Sequence, residues 1–206
     1  MLETKNISLT LGGKTLFNGL SFSVSAGEML CITGASGSGK TSLIKAIMGF
    51  LPIDGGFISI DGELVTAESA SVFRRMMSYL PQDLSFPCTT VREMVSLPFS
   101  IRTNNEVEYS KEILMKEWEK LNLSSDLYMK NVSEISGGQR LRMMIATTRL
   151  LRKKIMILDE PTSALDEQTT LLVADYLSQA AAEGTMIILV SHNAILASRC
   201  NKTIAL

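Results

Sequence analysis

The stretch GASGSGKTS, from Gly34 to Ser42, has the residue types and spacing to hold a chain of phosphates. It fits the pattern G-x-x-x-x-G-K-[ST] through Gly34, Gly39, Lys40 and Thr41. Glycines let a backbone curl so that successive N–H groups turn inward, here along Gly34, Ala35, Ser36, Gly37, Ser38 and Gly39. A helix starting at the loop adds its positive end. Lys40 is placed to reach the β- and γ-phosphates, and Thr41, followed by Ser42, to set a hydroxyl on Mg²⁺. The apolar run EMLCIT precedes the loop, and Leu43, Ile44, Ile47 and Met48 recur behind it at helical spacing. A strand before and a helix after are the context this loop requires.

Two further groups carry chemistry. IMILDEP reads as a buried strand ending in two carboxylates. Side chains alternate faces along a strand, so Asp159 can join the Mg²⁺ shell while Glu160 serves as general base for an attacking water. The single histidine, His192, follows the apolar run MIILVS. The end of a central parallel strand faces the ligand crevice of an open α/β sheet, and an imidazole there can donate a hydrogen bond to a γ-phosphate. A second anion-binding layout lies far away in NVSEISGGQRLRMMIA. There Ser136 offers a hydroxyl, Gly137 and Gly138 expose N–H groups, and a helix follows. Ser136 also suits a plain helix cap, and both roles are compatible.

The elements that must position these groups are legible as well. The first third reads as strands and turns: Ile7, Leu9 and Leu11 alternate with polar residues up to Gly12-Gly13, and GGFISIDG is a short strand closed by an Asp-Gly turn. From about Asp83 to Glu134 the pattern turns helical, with Ile113, Leu114, Trp118 and Leu121 as an amphipathic stripe. Buried strands return at KIMILDE and TMIILVSH, with a helix between them that carries Val173, Tyr176, Leu177 and Ala180 on one face. Strands alternating with helices imply parallel βαβ units. The expected fold is α/β, a P-loop NTPase with a parallel-sheet core, an N-terminal antiparallel β-subdomain and a helical insertion subdomain. Residues 1–206 form one domain, with the core in 1–82 and 136–206 and the helical part in 83–135.

Composition excludes several classes. The chain has 206 residues, of which 46% are hydrophobic, enough for a real core. A net charge of −1 lacks the basic bias of a nucleic-acid binder. No leader is visible, and runs such as MIILV are too short to span a bilayer, so a membrane role calls for a partner chain. The three cysteines, Cys31, Cys88 and Cys200, have no metal-ligand spacing and suit a reducing cytosol.

Taken together, GASGSGKT, YLPQD, ISGGQ, IMILDE, SALD and SH stand in the order of an ABC-type ATPase, the nucleotide-binding subunit of ABC transporters, which the whole chain resembles. The resemblance implies ATP and Mg²⁺ as ligands and a homodimer around two ATP sites. It implies a transmembrane permease subunit as partner, no nucleic acid, and a place on the cytoplasmic face of the membrane. It makes Gln82 a contact to Mg²⁺ and water that links to the permease. The segment Ser163, Ala164, Leu165 and Asp166 would cross the dimer interface, and His192 would sense the γ-phosphate. Ser136, Gly137, Gly138 and Gln139 would complete the ATP site of the other copy.

Departures from the family pattern are Ile135 in place of leucine and Leu11 where an aromatic residue covers adenine. YMKNVSE also lacks the T-x-V-G-E-x-G pattern of exporters with fused membrane domains. With the chain stopping soon after His192, regulation by a C-terminal domain is not expected. Within the insertion, Leu84, Phe86, Val91, Met94 and Phe99 are the candidates to meet the permease, against a small core of the insertion itself. SLPFSIRTN resembles the small ATPases of iron export. Other readings are a mechanical switch acting on a membrane protein and a DNA-repair ATPase, which usually carries a long coiled coil or zinc insertion. Replacing Lys40 by alanine is expected to abolish nucleotide binding in a fluorescent-nucleotide titration; unchanged affinity would remove the loop from the site.

Overall fold

The computed structural model describes residues 1–104 and 107–206. Its strands are β1 (Leu2–Leu11), β2 (Lys14–Val24), β3 (Met29–Thr33), β4 (Gly55–Ile60), β5 (Glu63–Leu64), β6 (Met77–Leu80), β7 (Ile155–Asp159), β8 (Met186–Val190) and β9 (Lys202–Ala205). Its helices are α1 (Lys40–Ile47), α2 (Ala70–Arg74), α3 (Val91–Ser100), α4 (Lys111–Lys120), α5 (Gly137–Leu150), α6 (Glu167–Ala182) and α7 (Ala194–Arg199). An antiparallel sheet runs β2-β1-β4-β5, and a parallel sheet runs β6-β7-β8-β3-β9. The β1–β2 turn is Gly12-Gly13, with φ 57° and 78°. Two residues with positive φ match the twist of a tight hairpin, which is why glycine occupies both.

The parallel strands MLCIT, IMILD and MIILV are apolar throughout because both faces of their sheet are covered. Alternation divides them between two cores. Leu30, Ile32, Ile155, Ile157, Ile188 and Val190 join α1 and the antiparallel sheet. Met29, Cys31, Met156, Leu158, Ile187 and Leu189 join α5, α6, α7 and the helical segment. β6 and β9 extend the sheet at its two edges; each is four residues long, β6 ending before Pro81 and β9 starting after Asn201, so their sequences carry little periodic signal.

Two expectations are corrected here. The stripe on α4 is narrower than expected: Leu114, Trp118 and Leu121 are fully buried, whereas Ile113 is 40% exposed. Adjacent residues on a helix diverge by about 100°, so Ile113 and Leu114 cannot both face the core. The helical segment also has no separate small core. Val91, Met94 and Phe99 are buried in the same cluster as Leu80, Met156 and Leu158 of the sheet, with Leu84 and Phe86 half-buried against it. Val91, Met94 and Phe99 are therefore unavailable to a partner. Among the described residues, no helix is long and apolar enough to cross a membrane.

One ionic cluster ties α4 to the core. Glu117 accepts from Tyr176 Oη at 2.6 Å and from Lys120 Nζ at 2.7 Å, and lies 3.6 Å from Arg149. Arg149 also pairs with Glu183 at 2.7 Å and stacks on the Tyr176 ring. Burial pushes the Glu117 carboxyl up, but the hydrogen bonds from Lys120 and Tyr176 and the charge of Arg149 outweigh it and hold it below the usual carboxylate range. A depressed folded pKa means stability that is present at neutral pH and lost as pH falls through that lowered value. Glu117→Gln is expected to cost on the order of 2–3 kcal/mol at neutral pH and to flatten the acid limb of the stability curve, read by urea unfolding across pH.

Candidate functional site

The phosphate loop joins β3 to α1, and its shape depends on two close approaches. Gly34, at φ 141°, lies against the Leu206 carbonyl, where a Cβ would collide. Gly39, at φ 106°, would place a Cβ 2.9 Å from Leu16 Cβ. A side chain at either position meets both strain and collision. Gly39 is also the first cap of α1 and offers no side chain to its N–H groups. By contrast, Thr90, Ser110, Ser136, Asp166 and Asn193 cap α3, α4, α5, α6 and α7 with their own oxygens. The first turn of α1 thus keeps its N–H groups for an anion.

A cavity of about 690 Å³ opens beside this loop, with Ser36, Gly37, Gly39, Lys40, Thr41 and Ser42 along one wall. Lys40 is buried, and its ammonium donates to the carbonyls of Gly34 at 2.8 Å and Ala35 at 2.9 Å, which holds the charge across the loop. Gly34, Ala35 and Ser38 stand behind the wall rather than in it. The Thr41 hydroxyl donates to Asp159 Oδ2 at 3.0 Å. Asp159 is 2% exposed; burial pushes its carboxyl up, against the Thr41 hydrogen bond and the charges of Lys40 and Lys45. The Tyr79 hydroxyl nearby is pushed up to about 12, first by burial and then by the Asp159 charge.

The opposite wall comes from the ends of β7 and β8. Glu160 has φ 52°, a left-handed conformation uncommon outside glycine, and its N–H donates to the Val190 carbonyl at 3.0 Å. That turn brings Glu160 Oε1 to 3.1 Å from His192 Nε2. The Glu160 side chain is 12% exposed and that of His192 54%, so the pair spans the edge of the cavity. Gln82 is exposed at the rim. The site therefore faces a cation and free N–H groups with two carboxylates and an imidazole, an arrangement for holding a polyphosphate while a water is activated at its end.

Several candidate residues stand outside this cavity, among them the segment expected to serve a second copy. Leu11 ends β1 opposite Lys14, 42% exposed, and does not line the cavity. Leu16, one strand on, does line it and packs under Gly39. The physical reason is the hairpin: the chain reverses after Leu11, and only β2 passes over the loop. Ser136, Gly137, Gly138 and Gln139 are also outside the cavity. Ser136 Oγ accepts from Gln139 N at 3.1 Å and Gln139 Oε1 accepts from Ser136 N at 2.9 Å, a reciprocal cap. Gly138 lies so close to Ala164 O and Leu165 Cδ2 that a Cβ would stand 3.1 and 3.0 Å from them. Asp166 caps α6 through Thr169 N at 2.7 Å, which holds its carboxyl below the usual range. Ser163 and Leu165 of the same segment reach the cavity wall. Thr162, Val190 and Asn193 complete it without a motif of their own. Their only signal is adjacency to Asp159, Glu160 and His192.

The site and fold together define an ATP-binding cassette, and comparison with known proteins gives the same class. The ABC transporter family model matches residues 17–163, and the chain belongs to that family as an ATP-binding, ATP-hydrolysing subunit. It is 28% identical over 207 residues to the probable iron export ATP-binding protein FetA of Escherichia coli (strain K12), spanning 100% of this chain and 91% of that one. It is 35% identical over 200 residues to the Fe(3+) ions import ATP-binding protein FbpC 1 of Rhodococcus jostii (strain RHA1), covering 93% of this chain and 55% of that one, so it spans about half of that relative. In fold it is similar, with a TM-score of 0.83 at 24% identity, to the cassette MJ0796 solved as a dimer bound to ADP and Pi; the match spans 100% of this chain and 94% of that one.

The two leucines are expected to separate in affinity. Leu16→Ser should weaken binding of a fluorescent ATP analogue by about fivefold, the scale of one lost apolar contact, and Leu11→Ser by less than about twofold. A larger loss at Leu11 would place the base against β1 instead.

Proposed function

We propose that this chain is the energy subunit of a membrane transport system, working as a homodimer on the cytoplasmic face of the membrane with a separate permease. The observation that carries the reading is the assembly, at one cavity, of the Lys40 loop, the Thr41–Asp159 pair and the Glu160–His192 pair. ATP lies with its phosphates along Ser36 to Ser42, and Lys40 moves its ammonium from the loop carbonyls to the β- and γ-phosphates. A hydroxyl, a buried carboxylate and an exposed amide are hard oxygen donors, so Thr41, Asp159 and Gln82 fit Mg²⁺. When bound, that ion offsets phosphate charge. Glu160 takes a proton from the attacking water, and His192 orients the γ-phosphate and holds the Glu160 carboxylate in place.

Ser136, Gly137 and Gly138 then serve the ATP of a second copy. They are absent from their own cavity, but Gly137 and Gly138 rest on Ala164 and Leu165, and Leu165 lines that cavity together with Ser163. The packing couples the two segments that meet a second copy, so closure around ATP reaches both sites of the dimer. Asp166 and Gln139 support these segments as caps and do not touch the nucleotide of their own chain. The permease meets Leu84 and Phe86 together with the exposed Leu97 and Ile101 of α3 and its end. Relatives named for iron and for glutamate share this cassette, so cargo and direction lie with the permease.

Glu160→Gln is expected to keep ATP affinity while lowering turnover by about 10²-fold or more, and to accumulate a dimer with ATP and Mg²⁺. Size exclusion with light scattering reads the dimer and phosphate release reads the turnover. A variant that hydrolyses at the parent rate would remove Glu160 from the chemistry, and a monomer at saturating ATP would count against the shared site.

A further inference from the structure

Behind the catalytic edge lie two thiols that the mechanism does not use. Cys31 is at the centre of β3, fully buried, three residues before the phosphate loop begins. Cys200 is the C-cap of α7, half-buried, on the helix that starts two residues after His192. Both are free thiols. Cys31 Sγ lies 4.0 Å from the Ser191 carbonyl, one residue before His192, and Cys200 Sγ donates to the Leu196 carbonyl at 3.2 Å. Pairing of β3 with β9 brings the chain after α7 alongside: Asn201 N donates to the Met29 carbonyl at 2.9 Å, and Cys31 stands opposite Thr203. The chain leaving α7 thus runs beside β3, and the Cys31 and Cys200 thiols are side-chain partners of each other.

We propose that Cys31 and Cys200 are a reversible oxidation site, and that a disulfide between them slows the ATP site by tying α7 to β3. Hydrogen peroxide is the oxidant. One sulfur attacks it, the O–O bond breaks, and a sulfenic acid and a first water form. The second sulfur attacks the sulfenic sulfur, the S–S bond forms, and the displaced hydroxide leaves with the remaining proton as a second water. Two thiols lose two electrons and two protons, and the peroxide is reduced to two waters. Partial exposure of Cys200 gives the oxidant access. The contact between the two thiols holds Cys31 below the usual cysteine range, against burial and the nearby Glu160 carboxylate, and together with burial pushes the Cys200 thiol up, so Cys31 is the attacking sulfur and Cys200 the resolving one. Reducing conditions keep the pair open.

The consequence follows from position. The thiol of Cys31 faces the Ser191 carbonyl, so moving its sulfur onto Cys200 withdraws it from the segment that carries His192. The His192–Glu160 contact at 3.1 Å is then the first to change. Cys88, the remaining thiol, packs on the same cluster from the segment between β6 and α3 and is the internal control.

The test uses the whole chain. Treatment with hydrogen peroxide, then alkylation and peptide mapping without reductant, is expected to yield a Cys31–Cys200 crosslinked peptide and an intact mass lower by about 2 Da. ATP turnover should fall by about tenfold and return with dithiothreitol, while Cys200→Ala, active before treatment, should be resistant. Alkylation of all three thiols after peroxide, a crosslink through Cys88, an unchanged turnover in the crosslinked chain, or equal inactivation of Cys200→Ala would each overturn the proposal. The effect on turnover rests on the ATPase reading but the crosslink does not, so a chain without basal turnover that still forms the crosslink separates the two failures.

Discussion

The hydrogen bond from Thr41 to Asp159 joins residues 118 apart in sequence, and the rest of the site is arranged around it. It exists because β3, β8 and β7 are parallel and in register, with Met29 beside Ile187 and Ile187 beside Met156. That register brings the C-terminal ends of three strands to one edge. The loop leaves β3 there, Asp159 and Glu160 end β7 there, and His192 follows β8 there. A slip of one residue between β7 and β8 would turn Asp159 to the opposite face, and one between β3 and β8 would displace the loop from both, so either breaks the constellation.

The register is itself enforced by burial on both faces. Each of the three strands sends alternate residues into separate cores, and almost every one is below a few per cent exposure. Polar residues appear only where the strand ends. The same edge holds left-handed backbone, at Gly34, Gly37 and Gly39 in the loop and at Glu160, one of five non-glycine residues with positive φ among the described residues. Well-packed surroundings over-determine such conformations. The same two-sided packing joins the helical segment to the sheet, so α4 and α5 cannot shift without disturbing the cluster that supports Leu158 and Asp159.

The signature segment shows a different use of packing. Its glycines follow the cap of α5, and Gly138 is tight against Ala164 and Leu165. A larger residue would separate α5 from the segment that leads to Asp166. The need for glycine here is met within one chain, and the segment stands outside that chain's own cavity. The sequence pattern alone, a pair of glycines before a helix, does not reveal this packing demand.

What was legible in the amino-acid sequence was local chemistry. The order of GASGSGKT, ISGGQ, IMILDE and SH, with apolar runs before each catalytic end, is enough for the class of site, because a phosphate loop needs a strand, glycines and a helix contiguous in the chain. The Glu160–His192 proximity was legible only as two strand ends. Leu16, Thr162 and the Cys31–Cys200 neighbours were not, since each depends on which strand crosses over the loop or lies beside β3. The stripe on α4 and the supposed separate core of the helical segment failed for the same reason: periodicity says that a face is buried but not what it is buried against. Sequence determined the chemical groups and the elements that carry them. Tertiary structure decided which residues share a wall, because contacts between segments far apart follow from strand order and register, which local pattern does not encode.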